Sequence, residues 1–216
     1  MKGFGRNVKL LLGEGHRFQI IVYLAFFLVL AFFAILDIGA LPQILEIIAT
    51  FFLLLVLGMA IIIMGIGDVY SRMMVYFGSS RRPAAWAMLL GQYVFFAEQM
   101  IILFVVAAFI ESNVCMAAVR ACPLGVVAVM LALAGIGHFI NAMSISGHMV
   151  CAWILAVALA VVPVVTCVVL VTVFEISAEM LVPYNNIWIL MAGLAATVIG
   201  AIVYFKTVTK VDLKLT

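Results

Sequence analysis

The side chains that could do chemistry are few, and most lie inside long apolar runs. Glu98 is the one carboxylate deep within such a run, AAWAMLLGQYVFFAEQMIILFVVAAF. An ionised carboxylate in hydrocarbon is costly, so Glu98 has to face another helix, a cavity or a partner subunit. It is therefore either a polar point on a translocation path or subunit contact, or a hydrogen-bonded structural residue beside Gln92 or Gln99. His138 and His148 flank the junction of two later apolar runs, where a proton relay and a structural role are both open. Ser79 and Ser80 follow Gly78 in the order of a serine nucleophile, but without a nearby base, and a cap-and-turn role fits them better. Cys115 and Cys122 stand at a spacing that permits a disulfide or leaves two free thiols, while Cys151 and Cys167 read as small core residues. No GxxxxGK[ST], HExxH or CxxC occurs, nor an aspartate pair set for a metal-dependent transferase. The residues assemble no catalytic constellation, no metal site and no ATP-binding loop, so the chain reads as a non-enzyme.

The elements that position these residues are membrane spans. Of the 216 residues, 69% are hydrophobic and only 9% charged, against about 45–50% and about 25% in soluble domains. The net charge of +2 carries no argument for nucleic acid, because the placement of the charges outweighs their sum. An all-α integral membrane protein with six transmembrane helices is expected. Residues 1–17 carry Lys2, Arg6, Lys9 and Arg17 around Phe4, Val8, Leu11 and Leu12 at helical spacing, which predicts an amphipathic interfacial helix on membrane lipid. The six-helix domain covers 18–206, with spans near 18–36, 44–66, 84–110, 123–141, 149–174 and 187–205, and 207–216 form a tail. The first run, followed by five more, reads as a retained span rather than a cleaved signal. Pro163 is expected to kink the fifth span. Residues Glu175–Tyr184, with Glu179 and Pro183, read either as a plain outer loop or as a short helical hairpin dipping into the outer leaflet. Gly135, Gly137, Gly193 and Gly200 suit close helix approach.

Lysine and arginine orient the bundle. With the N-terminus inside, ten of the eleven basic residues fall on the cytoplasmic side and only Arg120 outside, which predicts a multi-pass cell-membrane protein with both termini cytoplasmic. The 68–86 stretch, DVYSRMMVYFGSSRRPAAW, is the longest charged break between runs. Its spacing predicts a helix over 68–77, with Asp68 and Arg72 four apart and an apolar edge of Val69, Met73, Tyr76 and Phe77. Gly78 caps it, Ser79 and Ser80 follow, Arg81 and Arg82 make a basic elbow, and Pro83 restarts a helix in its first turn. A short amphipathic helix between two spans is suited to docking a partner, although an ordinary basic cytoplasmic loop has the same composition.

A basic amphipathic N-terminal helix, six spans, a cytoplasmic helix after the second and a long turn between the fifth and sixth together resemble the type-2 permeases of ATP-binding-cassette exporters. The text Tyr76-Phe77-Gly78-Ser79-Ser80-Arg81-Arg82, followed by Gly91, is similar to that family's glycine–serine–arginine elbow after its coupling helix, with Pro83 and the alanines after it less polar than usual there. The resemblance implies half of a translocation pore. It implies pairing with a second permease, as homodimer or heterodimer, and with separate ATPase subunits that carry ATP and Mg. The coupling helix, from Asp68 through Arg72 to Phe77, would dock on the ATPase. Residues 175–184 would form the outer gate, and the cargo would be a lipid, peptide or drug-like amphiphile. Two other classes remain open: the substrate-binding membrane subunit of an energy-coupling-factor importer, for which Ala25, Ala31 and Ala34 supply a thin docking surface, and a membrane-embedded enzyme.

Overall fold

A computed structural model describes residues 4–36, 52, 56, 67–76, 78–110, 113–152, 154–155, 157–158 and 178–210. Most of these are helical, with no strand among the described residues. Among the described residues, the helices with both ends defined are, in chain order, α1 (Phe4–Leu36), α2 (Gly67–Tyr76), α3 (Arg81–Phe109), α4 (Val114–Ala121), α5 (Pro123–Ile145) and α6 (Ile187–Lys210), with a 3-10 helix at Ala178–Tyr184 before α6. Among the described residues, four segments are long and apolar enough to cross a membrane: Phe4–Val29, Arg81–Phe109, Pro123–Ile145 and Ile187–Lys210. The shortest, 23 residues, is ~35 Å of helix against a hydrocarbon core of ~30 Å.

Several boundaries differ from the sequence expectation. The interfacial segment and the first span form one unbroken helix, α1, of 33 residues. Its early apolar side faces protein: Leu11 is buried, and Phe4, Val8 and Leu12 pack on the same core cluster as Met74, Met88, Tyr204 and Val208. The 111–122 loop contains α4, started by Asn113, whose side chain accepts from the Met116 amide at 3.1 Å. Arg120, the basic residue on the wrong side by charge count, donates to the carbonyl of Ile110 at 2.6 Å and to that of Ala107. It thereby satisfies orphan carbonyls at the end of α3. Pro163 and Cys167 lie outside the described residues.

Two parallel helix pairs organise the bundle. Along α1 and α3, Leu11 lies over Gly91, Gly15 against Phe95, and Tyr23 on Gln99, so both helices run the same way. Along α5 and α6, Gly193 meets Ala128, the Thr197 hydroxyl donates to the Leu131 carbonyl, and Gly200 meets Gly135. A Cβ on Gly200 would stand 2.1 Å from the Gly135 carbonyl oxygen, so only glycine permits this approach. Successive asparagines start the second pair: Asn186 accepts from the Trp188 amide and Asn185 from the Leu124 amide, each at 2.9 Å. The core is divided by height. One cluster, with Leu11, Met74, Ile145 and Tyr204, lies at the α2 end, and another, with Leu103, Met116 and Met130, at the α4 end.

Candidate functional site

The α2 helix ends as its sequence requires. Gly78 takes φ +83°, a left-handed conformation open to glycine without a Cβ penalty. Its amide donates to the Val75 carbonyl and the Ser79 amide to that of Met74, both at 3.0 Å. This paired pattern is a Schellman stop, and it leaves Ser80 and Arg81 free to begin α3 within a few residues.

The faces of α2 differ from the expected apolar edge. Ser71 and Met74 are the buried residues; Arg72, Met73 and Val75 are half-buried. Tyr76 is 69% exposed. The side that packs on the bundle is thus offset from Met73 and Tyr76, and Tyr76 projects outward at the C-terminal end of α2. The side chains of Asp68 and Val69, and residue Phe77, lie outside the described residues. Of the elbow arginines, Arg81 is half-buried and Arg82 exposed. Burial first, and the Glu14 carboxylate second, raise the Tyr70 phenol above its ordinary value, so this tyrosine stays neutral beside the start of α1.

Buried polar contacts fasten this region to α1 and α6, and through α6 to α5 and α3. The Asn7 amide on α1 donates to Ser79 Oγ at 2.7 Å, which gives Ser79 a turn-locking partner rather than a catalytic base. Ser71 Oγ on α2 hydrogen-bonds Tyr204 Oη on α6. The Tyr204 ring stacks on His138 of α5, centroids 5.8 Å apart, and His138 Nε2 meets the Tyr93 hydroxyl of α3 at 2.9 Å. Ser71, His138 and Tyr204 are fully buried. His138 Nδ1 has no hydrogen-bond partner among the described residues. His148 is exposed in the turn after α5, so the two histidines serve different environments and form no pair.

Glu98 makes an ion-pair contact on the α1–α3 seam. Its Oε1 lies 3.0 Å from His16 Nε2, while His16 Nδ1 lies 2.6 Å from the Leu12 carbonyl oxygen. A carbonyl only accepts, so Nδ1 carries a proton; Nε2 then donates to an ionised Glu98, or receives from a protonated one. One proton is shared between the two side chains in either case. The neighbouring contact is Tyr23 Oη donating to Gln99 Oε1, and the Nε2 atoms of Gln99 and Gln19 are buried without an acceptor among the described residues. His16, Gln19 and Tyr23 of α1 therefore line one polar stripe with Glu98 and Gln99 of α3. The partner of Glu98 is His16, and neither Gln92 nor Gln99 takes that place.

At the opposite end, Glu179 and Pro183 sit exposed on the 3-10 helix Ala178–Tyr184, which packs against α4. Glu175 lies outside the described residues. Cys122 is a buried free thiol, and Cys151 is exposed rather than a core residue. Sequence reading missed Asn7, His16, Ser71 and Tyr204. Asn7, Ser71 and Tyr204 are polar or amphipathic groups on helix sides that otherwise bury apolar residues, and that mismatch was the available signal,; for His16 the signal was its three- and seven-residue spacing to Gln19 and Tyr23. Comparison with protein-family models, curated proteins and solved structures yields no match.

Proposed function

We propose that this chain is the membrane permease subunit of an ATP-binding-cassette exporter, with α2 as the helix that docks on a separate ATPase subunit. The carrying observation is the build of α2. It is a short helix at one end of the bundle, held by a buried Ser71–Met74 side and turned by Gly78 into a basic elbow, with Tyr76 presented outward. An exposed aromatic beside arginines, on a helix whose back is locked to the bundle, is the composition of an interface anchor.

Six spans belong to this reading, and the parallel pairs support it. Because α1 and α3 run the same way, residues 37–66 lead from the far end of α1 back to α2. Because α5 and α6 do likewise, residues 146–186 lead from the α2 end back to the start of α6. Residues 37–66 number 30, and a helix of that length covers ~45 Å, enough for one return crossing. The distribution of lysine and arginine puts α2 and both termini in the cytoplasm. A second permease, identical or related, completes the pore, and ATP and Mg are held by the ATPase. This chain contributes the docking residues Asp68, Val69, Arg72, Met73, Tyr76, Phe77, Gly78, Ser79, Arg81 and Arg82. Glu98 contributes a polar point on the path or between permeases, and 175–184 the outer gate. An amphiphilic cargo, lipid, peptide or drug-like, suits a bundle whose charged groups are so few. Closure of the ATPase pair would push α2 and be converted into alternating access.

Affinity purification of the tagged chain from its native membrane tests the reading. An ATPase subunit is expected at about one per permease. Tyr76→Asp with Met73→Glu should weaken its recovery on the order of 30-fold, the loss of a ~2 kcal/mol anchor, while the chain still inserts. Recovery of the chain without an ATPase, or an unchanged yield of ATPase with the double variant, refutes it.

A further inference from the structure

Resting on that docking reading, we propose that movement of α2 reaches the far end of the bundle through Tyr204 and the α5–α6 pair, with Tyr204 the positioning residue at the junction. The covalent route from α2 to α3 passes through Gly78, whose backbone is the least restricted in the turn,. A displacement of α2 delivered only through this joint would be absorbed by it. The Ser71–Tyr204 bond bypasses the joint: it links the middle of the buried side of α2 directly to α6, and both groups are fully buried. A buried hydrogen bond in low dielectric is directional and poorly replaced by water.

From Tyr204 the path is stiff. Its ring stacks on His138, whose ring in turn stands edge-on to Tyr93 with centroids 5.4 Å apart. Flat side chains in van der Waals contact transmit translation with little rotamer freedom to absorb it. Gly135 on Gly200 and Ala128 on Gly193 interlock the backbones of α5 and α6 at closer range than side chains would permit, so the two helices move as one rod. The other end of that rod is capped by Asn185 and Asn186, directly after the 3-10 helix Ala178–Tyr184 that carries Glu179 and Pro183. The backbone of Tyr184 also lies against Gly125 at the start of α5. A shift of α5–α6 is therefore delivered to residues 178–184.

Hydrogen–deuterium exchange on the detergent-solubilised complex with its co-purified ATPase tests this, with and without ATP plus vanadate. In the wild type, exchange should change in α2 and at 178–184. Tyr204→Phe keeps the ring stack and removes the hydroxyl that bonds Ser71. It should leave ATPase recovery and the α2 response intact while cutting the 178–184 response at least about twofold. Ser71→Ala should do the same, and Ser71→Thr, which keeps a hydroxyl, should restore the response. A wild-type response at 178–184 in both Tyr204→Phe and Ser71→Ala overturns the route but leaves docking standing, as does a wild type that responds in α2 and not at 178–184. Absence of a nucleotide response in wild-type α2 overturns the docking reading, and this route with it.

Discussion

Alanine at Gly200 places a methyl group 2.1 Å from the Gly135 carbonyl oxygen, with the Gly135 carbonyl carbon and Cα both at 2.8 Å. All three neighbours are backbone, so no side chain can rotate away, and α5 and α6 have to part by ~1.3 Å to regain ordinary contact. Overpacking of this kind costs ~1–3 kcal/mol, and the better helix propensity of alanine returns only ~0.5–1 kcal/mol. A net loss of ~1–2 kcal/mol is expected. For a chain of 216 residues this is ~3–6 °C in apparent Tm. The control is the same substitution at Gly13, also inside a helix, where an added Cβ meets nothing within 4 Å. Only the propensity gain acts there, and a rise of ~1–3 °C is expected. Thermal denaturation of fluorescently tagged variants in detergent, read by size-exclusion chromatography, measures both. A Gly200→Ala variant as stable as wild type would refute the backbone interlock of α5 and α6. A Gly13→Ala variant that loses stability would show a neighbour on α1 that this packing does not contain.

Two further predictions concern the polar contacts. Asn7→Ala and Ser79→Ala should each destabilise by ~1 kcal/mol and the double variant by little more than one of them, since both remove the same buried bond; additive losses in a detergent thermal-shift assay would mean that Asn7 and Ser79 act separately. Glu98→Gln should change transport or permease pairing more than Glu111→Gln does, because Glu98 shares a proton with His16 across the α1–α3 seam; equal effects in vesicle transport and pairing assays would make Glu98 a purely structural residue.

Much of the architecture was legible along the chain. Long apolar runs mark the candidate spans because hydrocarbon tolerates only backbone that satisfies itself within a helix. Gly78, Pro83 and Pro123 mark boundaries because their backbone preferences are local, and each stands at or within three residues of the helix end or start that the sequence implied. The continuity of the interfacial segment with the first span in α1 was not legible, since glycines at 13 and 15 read as weak points, yet neither breaks a helix whose neighbours pack against it. The helix α4 was hidden as well: eight residues between two spans carry too little periodicity to stand out from a loop.

What the sequence determined by itself was composition, helix ends and the placement of charge, all of which depend on residues near one another in the chain. What only the tertiary structure decided was partnership. Asn7 with Ser79, His16 with Glu98, and Ser71 with Tyr204 are separated by 72, 82 and 133 residues, and each side chain alone is an ordinary polar group. The offset of the buried side of α2 has the same origin. Helical periodicity specifies which residues share a face, but the neighbouring helices decide which face is covered. Here Tyr204 and the start of α1 cover Ser71 and Met74 and leave Tyr76 outside, because a buried hydroxyl needs a hydrogen-bond partner and Tyr204 supplies one.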